Sequence, residues 1–287
     1  MPEYGNFCLR LQVELPEMPE LPEVETIARM LSPKISGCSI REVHIACTGR
    51  QLSPGPADFC SLLKKCRILS VSRRAKYLRF DLERNSTPAQ LSLLVHLRMS
   101  GRLDVFEEGS PRAKHDRVCF RLDDGRELRF NDVRRFGRLS LCEDPERELS
   151  HLGPEPLAAD LKPAQFARML KERKTAIKPL LLNQSFIAGI GNIYADESLW
   201  FAGIHPQKSA ARVSEDRARL LFSSIRRVLR DAIRHHGTDF GDKVVDFGRH
   251  VPKIYGQTGK PCPRCGTAIK RIVVAQRGTH YCAACQR

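Results

Sequence analysis

The sequence predicts an α+β chain of more than one domain, on three observations. Apolar residues alternate through one long stretch, they recur every three to four positions in another, and the last four cysteines fall as two close pairs. With 287 residues the chain is long enough for two domains and needs no disulfides to build a core. A hydrophobic fraction of 41% and a charged fraction of 28%, with 18 Pro and 19 Gly dispersed, exclude disordered and collagen-like classes. Lys and Arg number 48 against 33 Asp and Glu, so the formal charge is +15. That balance points to a polyanionic partner, nucleic acid ahead of a membrane surface. Even the apolar run Leu91 to Leu97 is broken by Ser92 and His96, so no membrane span is expected. Glu3, Glu14 and Glu17 sit where a secretory signal or transit peptide would be basic, and the expected compartment is the cytosol.

Residues 1–17 show no period. From Glu23 onward Val24, Ile27, Ala28 and Leu31 recur at i, i+3, i+4, i+7 behind Pro22, the pattern of one amphipathic helix. Between Ile40 and Leu141 the period is two: Leu78, Phe80, Leu82; Leu93, Val95, Leu97, Met99; Val118, Phe120, Leu122; Leu128, Phe130. Asp124-Gly125 marks a hairpin, and short antiparallel strands of this kind build a sandwich or a small barrel. Pro154 and Pro156 mark a linker. Beyond it a helix carrying Phe166, Met169 and Leu170 is expected to end before Pro179. Asn192 is placed to cap the next, and a long helix from Ser214 to Gly237 is expected to use Leu220, Leu221, Ile225, Val228, Leu229, Ala232 and Ile233 as its buried face. From Phe247 to Arg287 there are eight Lys or Arg and no Asp or Glu, a candidate phosphate-tracking surface.

Cys262-x2-Cys265-x16-Cys282-x2-Cys285 has the spacing of a closed tetrahedral thiolate site, which predicts one structural Zn²⁺ holding a hairpin too small to fold alone. The other seven cysteines show no pairing pattern and read as intracellular thiols. The hairpin would present Arg271, Arg277 and the backbone of residues 276–279.

The segment Met18-Pro19-Glu20-Leu21-Pro22-Glu23-Val24-Glu25-Thr26 resembles the N-terminus of the formamidopyrimidine-DNA glycosylase family, repair enzymes that remove oxidised purines and then cut the strand. The resemblance runs on through Arg73-Arg74-Ala75-Lys76-Tyr77-Leu78, His96-Leu97-Arg98-Met99-Ser100-Gly101, Asn131-Asp132-Val133-Arg134-Arg135-Phe136-Gly137, Lys174-Thr175-Ala176-Ile177-Lys178-Pro179 and Gly189-Ile190-Gly191-Asn192-Ile193-Tyr194-Ala195-Asp196-Glu197 to the zinc hairpin. It implies an N-terminal antiparallel β-sandwich with a flanking helix, a helix-two-turn-helix domain and a zinc β-hairpin. The boundaries expected are an extension at 1–17, the catalytic sandwich at 18–148, a linker at 149–160, the helical DNA-binding domain at 161–246 and the four-cysteine zinc finger at 247–287.

The resemblance also implies roles. The nucleophile is the amine of Pro19, once it is the first residue. An α-amino group is neutral in roughly one molecule in seven at pH 7, against about one in 2,500 for an ordinary lysine. A proline iminium then opens the way to elimination. Glu20 is implied as proton shuttle and Glu23 as a supporting acid, although two such carboxylates in a first helical turn also suit the helix dipole. Lys76 is implied as proton donor in β-elimination, and Arg277 as a phosphate grip that assists δ-elimination. Met99, Arg134 and Phe136 match the residues that fill the gap left by an everted base. His96, His115, Lys174, Lys178 and Asn192 match the phosphate-gripping set.

Two departures bear on function. Pro19 is preceded by 18 residues, and an amide nitrogen cannot attack, so translation is expected to start at Met18. The 238–254 segment is shorter than the family's loop over the everted base. The reading is therefore a monomeric zinc-containing glycosylase and AP lyase for oxidised purines in double-stranded DNA. The alternatives are an endonuclease VIII-like enzyme for oxidised pyrimidines and a catalytically blocked lesion binder.

Overall fold

In the computed structural model, residues 18–47, 49–84, 87–238 and 248–287 are described. The extension 1–17, and residues 239–247 of the short loop, lie outside the described residues.

The alternating stretch forms two sheets. Its elements are β1 (Ile40–Ile45), β2 (Leu52–Ser53), α2 (Pro56–Leu63), β3 (Cys66–Arg74), β4 (Tyr77–Arg84), β5 (Thr87–His96), β6 (Gly101–Phe106), β7 (Asp116–Leu122), β8 (Glu127–Asp132) and β9 (Arg138–Cys142), preceded by α1 (Leu21–Ile35). One sheet has the order β2-β9-β5-β4-β3 and the other β1-β7-β8-β6. Leu78, Phe80 and Leu82 of the first share one core with Val118, Phe120 and Phe130 of the second and with Val24, Ile27 and Leu31 of α1. The hairpin at Asp124-Gly125 joins β7 to β8, with Gly125 at a φ of +94° that favours glycine. One pair departs from the antiparallel expectation. β2 runs parallel to β9 through Leu52↔Leu139 and Ser53↔Ser140, a two-residue contact made by chain that has crossed over from β1 in the other sheet.

The second half carries α3 (Pro145–Glu148), α4 (Pro163–Lys171), α5 (Ile177–Leu182), α6 (Asn192–Phe201) and α7 (Glu215–Arg234), followed by β10 (Lys270–Val274) and β11 (Arg277–Tyr281). Phe166, Leu170, Tyr194, Leu221, Phe222, Ile225 and Leu229 fill a second core. The helix expected before Pro179 is α4, which ends at Lys171, and Pro179 lies in the first turn of α5, where its missing N–H has no intrahelical acceptor to lose. Two local expectations are corrected. Leu220, counted in the buried face of the long helix, is exposed at its margin. Asn192 is not the cap of α6 but its first residue, behind Gly191.

Helix α1 belongs to both cores. Val24, Ile27 and Leu31 pack under the sheets, whereas Leu21 is buried among the second core's residues and its N–H donates to Gly189 O at 3.1 Å. The stretch expected to be a plain linker adds a polar joint. Glu155 takes both Arg73 Nη atoms, at 2.7 and 3.1 Å, and accepts the Ala75 N–H. Arg73 also holds Glu25 of α1 at 2.8 Å. These partners keep the Glu155 carboxyl below its ordinary range despite burial. Removing one member of so enclosed a network strands the others, so Glu155→Ala is expected to cost roughly 2–3 kcal/mol in chemical denaturation.

Candidate active site

The N-terminal turn of α1 meets the N-terminal turn of α6. Glu20 is 1% exposed, and its carboxylate accepts the N–H of Gly191 at 2.6 Å and that of Ile193 at 3.0 Å. Amides at a helix start have no intrahelical acceptor and carry the positive end of the dipole, so a carboxylate is a fitting partner. Any side chain at position 191 would displace this carboxylate, since a Cβ there would lie 2.3 Å from Glu20 Cδ. Glu23 faces away from solvent. It accepts the Glu20 N–H at 2.9 Å, the Thr238 N–H at 2.8 Å and the Tyr194 hydroxyl. Burial pushes its carboxyl up against the pull of those donors. It fixes the backbone beside Pro19 from behind. Pro19 itself is half-buried, between Met18 and Glu20, which both line a cleft of about 490 Å³.

From the sheets, Lys76, His96, Arg98, Met99, Phe136 and Arg138 line the same cleft. Lys76 sits in the tight turn between β3 and β4, after Ala75 at φ +53°. His96 is 8% exposed at the end of β5, its ring 4.6 Å from that of Tyr77 and its Nδ1 accepting the Arg98 N–H at 3.1 Å. Burial, with Arg98 and Lys76 nearby, lowers its pKa to about 3. Met99 shares sequence parity with core residues of β5, yet it leaves the core because Arg98 turns the chain at φ +55°. Asp132 ties this turn to the next loop, accepting the Ser100 hydroxyl on Oδ1 and the Gly137 N–H on Oδ2 at 2.8 Å. Ser100 Oγ in turn accepts the Arg134 N–H at 3.0 Å. Phe136 stands 49% exposed between these anchors, with the Arg134 guanidinium 4.9 Å from its ring centre.

The opposite wall is built from Leu182, Gln184, Gly191, Asn192 and Arg277. Gln184 braces the 184–190 turn, donating to Ile190 O at 2.8 Å and accepting the Gly189 N–H at 2.9 Å. Arg277 follows two left-handed residues, Ala275 and Gln276, at the tip of the β10–β11 hairpin. Lys178 is not at the surface. It has no exposed area, pairs with Asp196 at 2.6 Å and donates to Gly278 O at 2.9 Å and Thr279 Oγ1 at 2.8 Å. The expectation of a phosphate grip is corrected there: the start of α5 turns residue 178 inward, where it struts the hairpin beneath Arg277. His115, half-buried with Nδ1 2.9 Å from Arg117 Nη2, and exposed Lys174 lie outside the cleft, and Arg134 stands behind Phe136 while its neighbour Arg135 lines the cleft.

At the hairpin's root, Cys262, Cys265, Cys282 and Cys285 bring their sulfurs within 4.8 Å of one another, with Sγ separations of 3.9 and 3.5 Å across two pairs. A tetrahedron of Zn–S bonds of about 2.3 Å has edges of about 3.8 Å, so the four thiolates fit one structural zinc. Sequence reasoning missed Arg98, Arg135, Arg138, Leu182, Gln184 and Glu155. Arg98 and Arg135 lay inside motifs read for their neighbours, Arg138 lay just past one, and Glu155 lay in a stretch read as a linker.

Two expected outcomes follow from this geometry. Gly191→Ala pushes Glu20 off the α6 amides, and excision in single-turnover assays should fall about 100-fold with DNA affinity changed only a few-fold. For His96, the unfolded chain takes up a proton below pH 6.5 that the folded chain refuses until about 3. Stability contributed by this site is thus present above pH 6.5 and lost through that window, at a slope of about 1.4 kcal/mol per unit. His96→Gln should flatten the dependence by that amount in urea melts between pH 6 and 4.

Comparison with known proteins bears on all three parts of the chain. The model of the formamidopyrimidine-DNA glycosylase N-terminal domain matches residues 18–139, that of the family's H2TH domain 152–243, and that of a zinc finger found in FPG and IleRS 259–287. The chain is 43% identical over 282 residues to a formamidopyrimidine-DNA glycosylase of Chloroflexus aurantiacus, covering 95% of this chain and 97% of that one. Its fold is similar to that of Lactococcus lactis Fpg in complex with abasic-site DNA, with a TM-score of 0.86 and 36% identity over 94% of this chain and 100% of that one. The Lactococcus lactis protein with FAPY-dG-containing DNA matches at a TM-score of 0.85 and 36% identity, over 93% and 100%. No helix among the described residues is long and apolar enough to cross a membrane. The chain belongs to the formamidopyrimidine-DNA glycosylase family.

Proposed function

We propose that the chain excises oxidised purines, 8-oxoguanine and formamidopyrimidines, from double-stranded DNA and then cuts the strand. It acts as a monomer in the cytosol, on the nucleoid if the host is bacterial. The observation that carries this reading is the cleft itself, which gathers Glu20, Lys76, Arg277, Met99 and Phe136 from both halves of the chain beside Pro19. The structural relatives bound to abasic-site and FAPY-dG-containing DNA support the substrate class.

The active form starts at Pro19. Its secondary amine forms a bond to C1′ as the damaged base departs, and loss of the amine proton with opening of the C1′–O4′ bond leaves an iminium. Glu20 passes a proton to the ring oxygen. The iminium acidifies C2′, whose proton is removed as the 3′-phosphate leaves. Lys76 serves proton transfer in this first elimination, and Arg277 holds the phosphates and assists the second, which releases the 5′-phosphate. Met99, Phe136 and Arg134 fill the space of the everted nucleotide, and His96 and Asn192 hold phosphates. His115 and Lys174, outside the cleft, serve the flanking backbone. The zinc ion supplies no reaction step and holds the hairpin that carries Arg277.

Borohydride trapping on a duplex with 8-oxoguanine opposite cytosine tests the reading, using chains that start at Met1 and at Met18. The expected result is a DNA adduct mapped by mass spectrometry to Pro19 in the shorter chain alone. Binding without an adduct in either chain would leave a lesion binder, and a faster reaction on thymine glycol would move the substrate to oxidised pyrimidines.

A further inference from the structure

Asp231 lies in the last turn of α7 and His235 caps its C-terminus four residues on, so both side chains project from one face of the helix end. A third group is brought to that face from the far side of the 239–247 segment. Arg249 N–H donates to His235 O at 2.8 Å, His250 N–H donates to Gly237 O at 3.1 Å, and Thr238 bridges to His250. This backbone pairing places His250 Nδ1 3.4 Å from Asp231 Oδ2, while His235 Nδ1 lies 3.6 Å from Asp231 Oδ1. One donor atom from each of the three side chains lies within 4.8 Å of the other two.

We propose that Asp231, His235 and His250 form a second metal site, for a divalent transition ion such as Zn²⁺, distinct from the four-cysteine site and from the cleft. Two imidazoles and a carboxylate are a donor set such ions favour, and bonds of about 2.0–2.1 Å put tetrahedral donors about 3.3 Å apart. Both Asp–His separations are near that edge and longer than a charge-assisted hydrogen bond of about 2.7–2.9 Å. The carboxylate is therefore spaced from both rings by the width an ion requires. His250 is 7% exposed, held by the backbone pairing and by the Tyr194 ring at 6.1 Å, whereas the Asp231 and His235 side chains are each 44% exposed. The site is rigid on one side and open to an incoming ion and its remaining water ligand on the other. His235 Nδ1 also lies 2.8 Å from Asp231 O, so ligation through that nitrogen exchanges one hydrogen bond for a coordinate bond. The ion would join the end of α7 to the chain leading into the zinc hairpin.

Cobalt(II) tests this on the full chain beginning at Pro19. Two equivalents are expected per molecule by elemental analysis after gel filtration. The first shows the intense thiolate-to-cobalt absorption of the cysteine site, and the second only weak visible bands of a nitrogen and oxygen site. His250→Ala and Asp231→Asn should each bind one equivalent with the thiolate band unchanged, which also reports that the fold is intact. His235→Ala, at the half-exposed rim, reads the same loss if the buried His250 variant is unstable. A single equivalent in the unaltered chain overturns the proposal, as does a second equivalent that survives in the His235 and Asp231 variants.

Discussion

The cleft depends on one carboxylate at a helix start. Glu20 lies at the first turn of α1 and caps the first turn of α6, so the start of one core's helix is fastened to the start of the other's. Its place is fixed from three sides, by Leu21 against Gly189, by the absent side chain at Gly191 and by Glu23 behind its amide. The same contact that joins the halves therefore determines where Pro19 points. A small shift of one core against the other would be felt first at Pro19, the nucleophile of the reaction proposed above, and sub-ångström placement is what positioned catalytic groups require.

Carboxylates used in this way recur through the molecule. Asp132 lashes the Met99 turn to the Phe136 loop, Glu155 ties the interdomain stretch to the Lys76 turn, and Asp196 pairs with Lys178 under the hairpin. Each is buried or nearly so, each accepts backbone amides or faces a cation, and each lies just behind a residue that lines the cleft. Buried charge of this sort gives modest net stability but a well-defined geometry when all its partners are satisfied. The exposed residues of the cleft thus rest on an inner layer of polar struts.

Much of the fold is legible in the sequence because burial imposes a period. Leu78, Phe80 and Leu82 on one strand, and Val24, Ile27 and Leu31 on α1, declare their faces without reference to anything else. Four cysteines at close spacing declare their metal for the same local reason. What local pattern does not carry is partnership over long separations. Glu20 reaches Gly191 and Ile193, and Glu155 reaches Arg73 and Ala75. Nothing near Lys178 in sequence distinguishes a strut from a phosphate ligand, since that choice is made by Asp196 and Thr279. Met99 shows the converse, where strand parity says core and a single left-handed residue, Arg98, sends it to the surface of the cleft.

The stem of the zinc hairpin is secured without metal. Glu197 on α6 accepts three consecutive amides, those of Lys253, Ile254 and Tyr255, at 2.8–2.9 Å, and Ile254 is buried with Trp200 beside Cys262 and Cys282. Arg264 adds a bond to Trp200 O at 3.1 Å and lies over the indole ring. An ion lost to a chelator or an oxidant thus leaves behind a tethered loop whose ligands remain near one another. As long as the thiols stay reduced, rebinding of the ion is then a local refitting on a standing anchor.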